Sequence, residues 1–178
     1  MKAIQLTKGY VAFVDDEDFE RVNQFKWYAS VSARSVYARR SIHISTTKCI
    51  TQRLHHFVLN DTVKVDHKDH NGLNNQKHNL RPATHSDNTH NSRLYINNTS
   101  GYKGVCWDKL NQKWTAHITV NAVQTTLGYF TSKEAAARVY DAAAVILHKR
   151  FCCTNVMLGL LPPLEGLANT TNEMMEAA

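Results

Sequence analysis

One segment constrains the fold of this chain more than any other: an alternating strand that is flanked by two further strands and followed, after the second of them, by a helix start. From Trp114 to Val120 apolar residues alternate with polar ones, the pattern of a strand with one buried face. Residues 102–107 and 123–130 predict strands on either side of it. Thr131 and Glu134 have the spacing of a capping box, in which the hydroxyl and the carboxylate each satisfy a free backbone N–H. These features predict a three-stranded antiparallel sheet packed on one helix.

The helix that follows carries apolar residues at helical spacing, so we expect it to bury one face against this sheet. The predicted face consists of Ala135, Ala136, Val139, Tyr140, Ala143, Ala144 and Leu147.

The N-terminal part predicts a β-rich region. Residues 2–14 indicate two short strands around a turn at Lys8-Gly9. Further strands are expected over 28–38 and 41–51, and a short helix over 53–60. The whole chain is therefore predicted to be α+β.

An acidic run at residues 15–18 marks the first helix start, where carboxylates oppose the positive end of the helix dipole. A solvated cap is the favoured interpretation of this run, and a metal-binding role is the alternative. The buried face of this helix is expected to draw on Phe19, Val22, Phe25 and Trp27.

Positive charge is spread unevenly along the chain, whose formal net charge is +6. Residues 33–53 contain five basic residues and no acidic one, and residues 96–155 contain seven Lys or Arg against three acids. A local excess of this kind is typical of proteins that bind phosphate groups. We therefore expect the N-terminal region to contact DNA phosphates through Arg34, Arg39 and Arg40.

The residues that carry chemistry lie between 65 and 91, a stretch rich in Asp, His and Asn. Cutting a phosphodiester requires an activated water, neutralised charge at phosphorus and a stabilised leaving oxygen. A divalent ion held by hard oxygen ligands supplies the last two, and a histidine with a pKa near neutrality supplies the first. Asp66-His67 would place such a ligand and such a base at one strand end. Asn71 to Asn75 predict a turn, and Asn79 to Asn88 a short helical segment.

This stretch resembles the HNH nuclease family, particularly the homing-endonuclease branch common in phage introns. The resemblance rests on Asp66-His67, on Asn71 to Asn75, on Asn79-Leu80-Arg81 and on Asn88. It implies a ββα-metal core at about residues 53–92 and metal-dependent, site-specific cleavage of DNA.

The same resemblance implies roles for single residues. Asp66 and Asn88 would hold one Mg²⁺ or Mn²⁺ ion, His67 would be the general base, and Asn79 would orient the His67 loop. His55 matches a recurrent histidine of the family and is expected to support the site from behind the ligands. His70 stands where this branch usually has glycine.

Residues 99–155 resemble the DNA-binding domain of plant ethylene-response factors, which also occurs joined to HNH nucleases in phages. The matching residues are Ser100–Val105, Lys113-Trp114, Leu127–Phe130, Glu134–Ala136, Tyr140–Ala143 and Asn155. In that family the three-stranded sheet lies in the major groove and the helix packs behind it, and β-ribbons fit that groove.

Carried over by position, the DNA-facing residues are Lys103, Cys106, Trp107, Lys113, Thr119, Gln124 and Thr126. Several of these positions hold Arg or Trp in the plant proteins, so the plant target sequence is not implied. For Trp114 we favour core packing, whereas for Trp107 core packing and DNA contact are equally open.

The predicted domains are a nuclease region at 1–96, a DNA-binding domain at 97–156 and a flexible tail at 157–178. The four cysteines contain no C-x-x-C pair, which favours free thiols in a reducing compartment. No segment predicts a signal peptide or a membrane span, so we expect the protein in the cytoplasm of a phage-infected cell.

The function predicted from these features is that of a homing-type endonuclease, acting on double-stranded DNA as a monomer or a homodimer. The alternative is a DNA-binding phage regulator without cleavage activity. An RNA-binding or structural phage protein would fit the charge but not the two resemblances.

Overall fold

In the computed structural model the described residues are 1–33, 35–61 and 63–164. Arg34 and residues 165–178 of the predicted tail lie outside them. By its internal contacts the chain divides into two units, Met1–His85 and Ser86–Ala178. The architecture mixes helices with small antiparallel sheets, which confirms the α+β prediction.

The first unit contains three small antiparallel sheets within its described part: β1-β2, β3-β4-β5 and β6-β7. Its elements are β1 (Lys2–Gln5), β2 (Val11–Val14), α1 (Asp16–Asn23), β3 (Tyr28–Val31), β4 (Val36–His43), β5 (Cys49–Arg53), α2 (Leu54–Leu59), β6 (Val65–His67) and β7 (Leu80–Pro82). Short 3-10 turns occupy Thr7–Gly9 and Lys77–Asn79.

Six of these elements, β1, β2, α1, β4, α2 and β7, contribute buried residues to one apolar core. The buried members are Ile4, Ala12, Val14, Val22, Trp27, Ala38, Leu54, Val58 and Leu80. Burial of a side chain such as Leu54 stabilises the fold by roughly 1.5–3 kcal/mol. The Trp27 indole is buried without an unsatisfied donor because its Nε1 donates to the Val22 carbonyl at 3.0 Å.

The acidic run at residues 15–18 connects the start of α1 to a turn that is distant in sequence. The Asp15 carboxylate accepts hydrogen bonds from the Lys77 amide at 2.7 Å and from Gln76 Nε2 at 3.1 Å. Asp18 pairs with Arg21 at 2.7 Å and with Lys77 at 3.1 Å. These contacts give the run a structural role.

Several predicted boundaries in this unit are wrong because turns interrupt the strands. A turn held by Ser32, whose hydroxyl accepts from the Ser35 amide at 3.2 Å, separates β3 from β4. The hydroxyl of Ser45 accepts from the Lys48 amide at 3.1 Å and closes the turn between β4 and β5. Phe25 lies beyond the end of α1 and is 41% exposed, so it is not part of a buried helix face.

The expected helical segment from Asn79 to Asn88 is also wrong in its first part. Leu80–Pro82 form β7, since Leu80 pairs with His67 and Arg81 with Asp66 across an antiparallel ladder. Helix begins only at α3 (His85–His90).

The second unit contains the sheet and helix predicted from the alternating segment. Its further elements are β8 (Val105–Asp108), β9 (Lys113–Val120), β10 (Val123–Phe130) and α4 (Lys133–His148). The strand order is β10-β9-β8, all antiparallel. The helix packs on one face of this sheet, where Val105, Ala116 and Ile118 meet Ala136, Tyr140 and Ala144.

Two details of α4 correct the prediction. The N-cap is Ser132, not Thr131: its hydroxyl accepts from the Glu134 and Ala135 amides at 3.1 and 3.3 Å. The buried face is Ala136, Ala137, Tyr140, Asp141, Ala144 and His148, whereas Ala135 and Leu147 are exposed. The face is rotated because the Asp141 carboxylate accepts from the Asn155 amide and side chain at 2.7 and 2.8 Å.

Residues 97–101, at the start of the predicted DNA-binding domain, form a hydrogen-bonded turn within the second unit. Asn98 Oδ1 accepts from the Gly101 amide at 2.7 Å, and the buried Ser100 hydroxyl donates to the Val105 carbonyl at 2.8 Å. The predicted strand from Tyr102 therefore starts only at Val105. Gly104 has φ +75°, and a Cβ there would lie 1.9 Å from the Tyr140 ring.

Within the described ranges, no helix is both long and apolar enough to cross a membrane.

Candidate active site and nucleic-acid surfaces

The hairpin of β6 and β7 positions the two residues at the centre of the candidate active site. Asp66 and His67 are adjacent on β6, and each is 6% exposed. Both the Nε and an Nη atom of Arg81 donate to Oδ2 of Asp66, at 2.8 and 2.7 Å. The cross-strand pairing of residues 66 and 81 brings this ion pair together. The Arg81 guanidinium therefore offsets the cost of burying the Asp66 carboxylate, which would be high for a lone charge.

The His67 ring is held by the loop that follows it. Burial lowers the pKa of His67, and a hydrogen bond with the fully buried Asn75 and the charges of Asp69 and Asp66 oppose that effect only in part. The imidazole is thus neutral at pH 7, and a neutral imidazole is the form that accepts a proton from water.

Asn79 closes the loop between β6 and β7. Its Nδ2 donates to Oδ1 of Asp69 and to the Asn74 carbonyl, both at 2.9 Å. Its Oδ1 accepts from the Asp69 amide at 3.0 Å. These bonds fix the chain directly after His67, which is the arrangement expected of Asn79, although its catalytic role stays a prediction.

His70 adopts φ +60°, in the left-handed region that favours glycine. The resemblance places a glycine at this position, and the backbone here keeps the conformation that a glycine would adopt. The His70 amide donates to the His67 carbonyl at 3.0 Å, which tightens the turn.

A cluster of rings surrounds His67 within the first unit. The ring of His55 lies edge-on to His67 with centroids 5.0 Å apart, and Tyr37 is 5.8 Å from His67 and 6.0 Å from His55. Burial, followed by the charges of His67, His56, Arg53 and Arg39, lowers the pKa of His55 to about 2. His55 is therefore a neutral packing partner of His67, and its supporting role in the site stays a prediction.

Gly72 packs closely against Tyr37, a member of the ring cluster around His67. A Cβ at this position would lie 2.5 Å from the Val36 carbonyl oxygen and 2.6 Å from the Tyr37 ring. The loop can lie against Tyr37 only because residue 72 has no side chain.

The donors present fit a hard, hydrated cation better than zinc. Asp66 offers carboxylate oxygen, and Asn88, in α3 of the second unit, offers an amide oxygen. No group of three or more His, Cys, Asp or Glu among the described residues is arranged to hold a metal. Mg²⁺ commonly binds through one or two carboxylates while keeping several waters, whereas zinc prefers closed sets of Cys and His. The pairing of Asp66 with Asn88 remains a prediction.

The N-terminal arginines fall on opposite faces of the β3-β4-β5 sheet. The Arg40 guanidinium stacks over Phe25 at 3.7 Å and over Phe57 at 4.8 Å, and its Nε donates to Gln52 at 2.8 Å. Arg40 is thus a structural cation, and burial lowers the pKa of its guanidinium. Arg39 points to the other face, where it is the direct cross-strand partner of Arg53 in β5. Arg34 lies outside the described residues.

The second unit gathers most of the residues predicted to face DNA. Strand register places Cys106, Lys113, Thr119, Gln124 and Thr126 on the face of the sheet opposite α4. On this face we also find His117, which the sequence analysis did not single out. Its ring lies within hydrogen-bond distance of Thr115 at 2.9 Å and of Thr126 at 3.2 Å.

Two residues of the predicted set lie elsewhere. Trp107 pairs with Trp114 on the helix side of the sheet, with ring centroids 5.0 Å apart, and remains 41% exposed. Lys103 is half-buried, and its ammonium donates to the carbonyls of His90 and Ser92 at 2.6 and 2.7 Å. This lysine thus binds the end of α3, and burial lowers its pKa. Contact with DNA remains a prediction for both.

A cleft of about 300 Å³ opens in the second unit. Cys106, Thr119 and Gln124 line it together with residues of the segment 89–95 and with Lys103. The two stacked rings of His90 and His148, with centroids 3.8 Å apart, form part of its wall. Part of the predicted DNA-facing surface is therefore concave.

Comparison with known proteins gives two relatives. The chain is 29% identical over 157 residues to an uncharacterised HNH endonuclease of Acanthamoeba polyphaga mimivirus, an alignment covering 83% of this chain and 76% of that protein. It is 38% identical over 60 residues to Protein 3.8 of Escherichia phage T7, covering 34% of this chain and 50% of that protein. No family model and no solved structure matches it. The chain is therefore similar, over most of its length, to a viral protein named as an HNH endonuclease.

Proposed function

We propose that this chain is a metal-dependent DNA endonuclease of the HNH type, homing in character and specific for a double-stranded site. The observation that carries the proposal is the buried pair Asp66-His67 on β6, in which an imidazole whose pKa is lowered by burial lies beside a carboxylate held by Arg81. The similarity to a viral protein named as an HNH endonuclease supports the same reaction.

His67 is the proposed general base. A water between the imidazole and the scissile phosphate would give its proton to His67 and attack phosphorus, and the leaving 3′ oxygen would take a proton from solvent. Asn75 holds the ring, and Asn79 holds the loop behind it. His55 and Tyr37 pack against the ring and limit its rotation.

Asp66 and Asn88 are the proposed ligands of one Mg²⁺ or Mn²⁺ ion, which when bound would neutralise charge at the phosphate and at the leaving oxygen. Arg81 holds the Asp66 carboxylate in place through their ion pair. The sheet face of the second unit, through Lys113, Thr119, Gln124 and Thr126, is the proposed reader of the site.

A DNA-binding regulator without cleavage activity is the second candidate. The observation that favours it is the Arg81–Asp66 ion pair, in which a protein cation already occupies Oδ2 of the carboxylate proposed as ligand.

Cleavage of supercoiled plasmid carrying candidate phage DNA separates the two. We expect the wild-type protein to nick or linearise the plasmid with Mg²⁺ or Mn²⁺ and not with EDTA. We expect His67→Ala to lower the rate roughly 10²–10⁴-fold, the usual contribution of a positioned base, while the gel shift stays unchanged. A clear gel shift with no metal-dependent cut would favour the regulator.

A further inference from the structure

Two arginines face each other across β4 and β5, on the side of the sheet that carries the candidate active site. Arg39 and Arg53 are direct cross-strand partners in the antiparallel register, so their side chains leave the same face. Like charges directly opposite each other destabilise a strand pair. A pair of this kind suggests an anion that offsets the repulsion.

No carboxylate of the described residues neutralises this pair. Neither guanidinium takes part in a salt bridge with that part of the chain, and the buried Nε of Arg39 has no hydrogen-bond partner there. Residues 28–53, which supply all three strands of the sheet, contain no Asp or Glu. The face is therefore positive and its donors are available.

The pair lies next to the candidate base. The Arg53 guanidinium is 5.9 Å from the Tyr37 ring centroid, and the Tyr37 ring is 5.8 Å from that of His67. Both arginine charges act on the buried His55, whose ring contacts His67. An anion held between the two guanidinium groups would thus lie close to the residue that is proposed to activate water.

Three other cations of the described residues are already engaged by the protein. Arg40 is stacked on Phe25 and Phe57, Arg81 is paired with Asp66, and Lys103 is bound to two backbone carbonyls. Planar guanidinium groups with free N–H donors suit phosphate oxygens, which they bind in bidentate geometry.

We propose that Arg39 and Arg53 form a phosphodiester-binding site for the backbone of double-stranded DNA, beside His67. The site holds the strand by its phosphate and carries no base preference. Its placement next to the cut rests on the proposed function, whereas its binding of DNA does not.

The test is the salt dependence of binding to a fluorescent DNA duplex, measured by anisotropy in EDTA so that no cleavage occurs. We expect the double substitution Arg39→Gln with Arg53→Gln to weaken binding equally for unrelated duplex sequences. The slope of log K against log salt should become shallower by roughly 1 for each arginine removed.

Two further variants serve as controls. Lys26→Gln removes a positive charge from an exposed position between α1 and β3, outside the strands of this sheet, and should keep the wild-type slope. Arg39→Lys with Arg53→Lys keeps both charges and should restore most of the slope. Circular dichroism checks folding, and the Gln variant should melt no lower than wild type, because a like-charge pair has been removed.

An unchanged slope in the folded Gln variant would overturn the site, as would an equal change in Lys26→Gln. Plasmid cleavage by the same proteins separates this result from the fate of the proposed function. If the wild-type protein cleaves the plasmid and the Gln variant keeps the wild-type salt slope, the nuclease proposal holds and the arginine site is wrong. If the Gln variant has a shallower slope but the wild-type protein never cleaves DNA, the phosphate-binding site holds and the nuclease proposal is wrong.

Discussion

Asn79 shows how one side chain determines the geometry of the candidate site. Its amide makes three hydrogen bonds, to both ends of the loop that follows His67. The sequence predicts that Asn79 orients the His67 loop, but it does not predict the hydrogen-bond partners Asp69 and Asn74. Asp69, Asn74 and Asn79 come together because the chain turns back between the antiparallel strands β6 and β7, and the sequence pattern alone does not predict the path of that loop.

Asn79→Ala is expected to reduce stability by about 2–4 kcal/mol, since three hydrogen bonds in a buried position are lost at roughly 0.5–1.5 kcal/mol each. Urea unfolding measures the loss, and plasmid cleavage should fall with it. Asn71→Ala is the matched control, because Asn71 is exposed and its Oδ1 makes one bond, to the Leu73 amide. Equal losses in the two variants would contradict the role assigned to Asn79.

Other residues of the site were not foreseen. Arg81 and Asn75 lie inside the matched motif, yet their bonds to Asp66 and His67 depend on strand register and loop path. Tyr37 is distant from the motif in sequence and reaches His67 only through the packing of β4 on the loop. For Arg81 and Asn75 the available signal was their place in the motif, whereas for Tyr37 it was only an aromatic identity outside the motif.

At the scale of elements, the sequence predicts which segments are strands or helices better than where they end. β9, β10, α2 and α4 lie close to their predicted bounds. The errors fall where a few polar residues turn the chain inside an apolar pattern, at 32–35, 44–48 and 101–104. Ser and Gly create these turns through local hydrogen bonds and left-handed backbone, and neither changes the average hydropathy of the segment enough to be seen.

The docking of β8 on α4 depends on Gly104. Gly104→Ala should cost roughly 2–5 kcal/mol, combining a left-handed backbone strain with overlap on Tyr140. Gly101→Ala should cost only the strain, roughly 1–2 kcal/mol, because a Cβ there meets nothing within 4 Å. Thermal unfolding of both variants measures the difference, and equal destabilisation would show that Tyr140 yields to the added methyl group.

The C-terminal end of α4 predicts an acid-sensitive contact. Burial, supported by the charges of His90 and Lys103, lowers the pKa of His148, while its bond to the Thr119 carbonyl opposes the shift. A histidine whose pKa is lowered on folding stabilises the fold above the unfolded pKa of about 6.5 and loses that contribution as the pH falls below it.

We therefore expect the free energy of unfolding to drop between pH 7 and pH 5, and to drop less steeply in His148→Gln, whose amide can still donate to Thr119. Urea unfolding at the two pH values provides the measurement. His55 in the first unit also resists protonation, so the comparison between the two proteins, not the drop itself, reports on His148. Parallel pH profiles would exclude His148 as a source of the acid sensitivity.

At the scale of the whole molecule, chemistry and recognition are predicted to lie in different units. The buried Asp66-His67 pair and the two facing arginines belong to the first unit, and the polar sheet face belongs to the second. The sequence analysis predicts a division into two domains from its two resemblances. It places the limit at residue 96, whereas contacts place it after His85.

Removal of residues 99–178 should weaken site-specific binding more than it weakens cleavage of non-specific DNA. A loss of at least tenfold in specific affinity, about 1.4 kcal/mol, is expected, because the sheet face is removed while His67 remains. Gel shifts with specific and unrelated duplexes measure the ratio. The triple substitution Lys113→Ala, Gln124→Ala and Thr126→Ala should have the same effect without shortening the chain, and unchanged specificity in both would place the reading of DNA in the first unit.

The close approach of Gly72 to Val36 and Tyr37 limits which substitutions this loop can accept. A smaller residue in place of Tyr37 would remove one of its two obstacles, but the other is the Val36 carbonyl, which no side-chain substitution can move. No single substitution at a neighbouring position can therefore make room for a side chain at residue 72. This position should remain glycine in any library of variants selected for activity. The exposed Asn71 beside it has no such restriction, so tolerance and intolerance to substitution should alternate sharply between neighbouring positions of one loop.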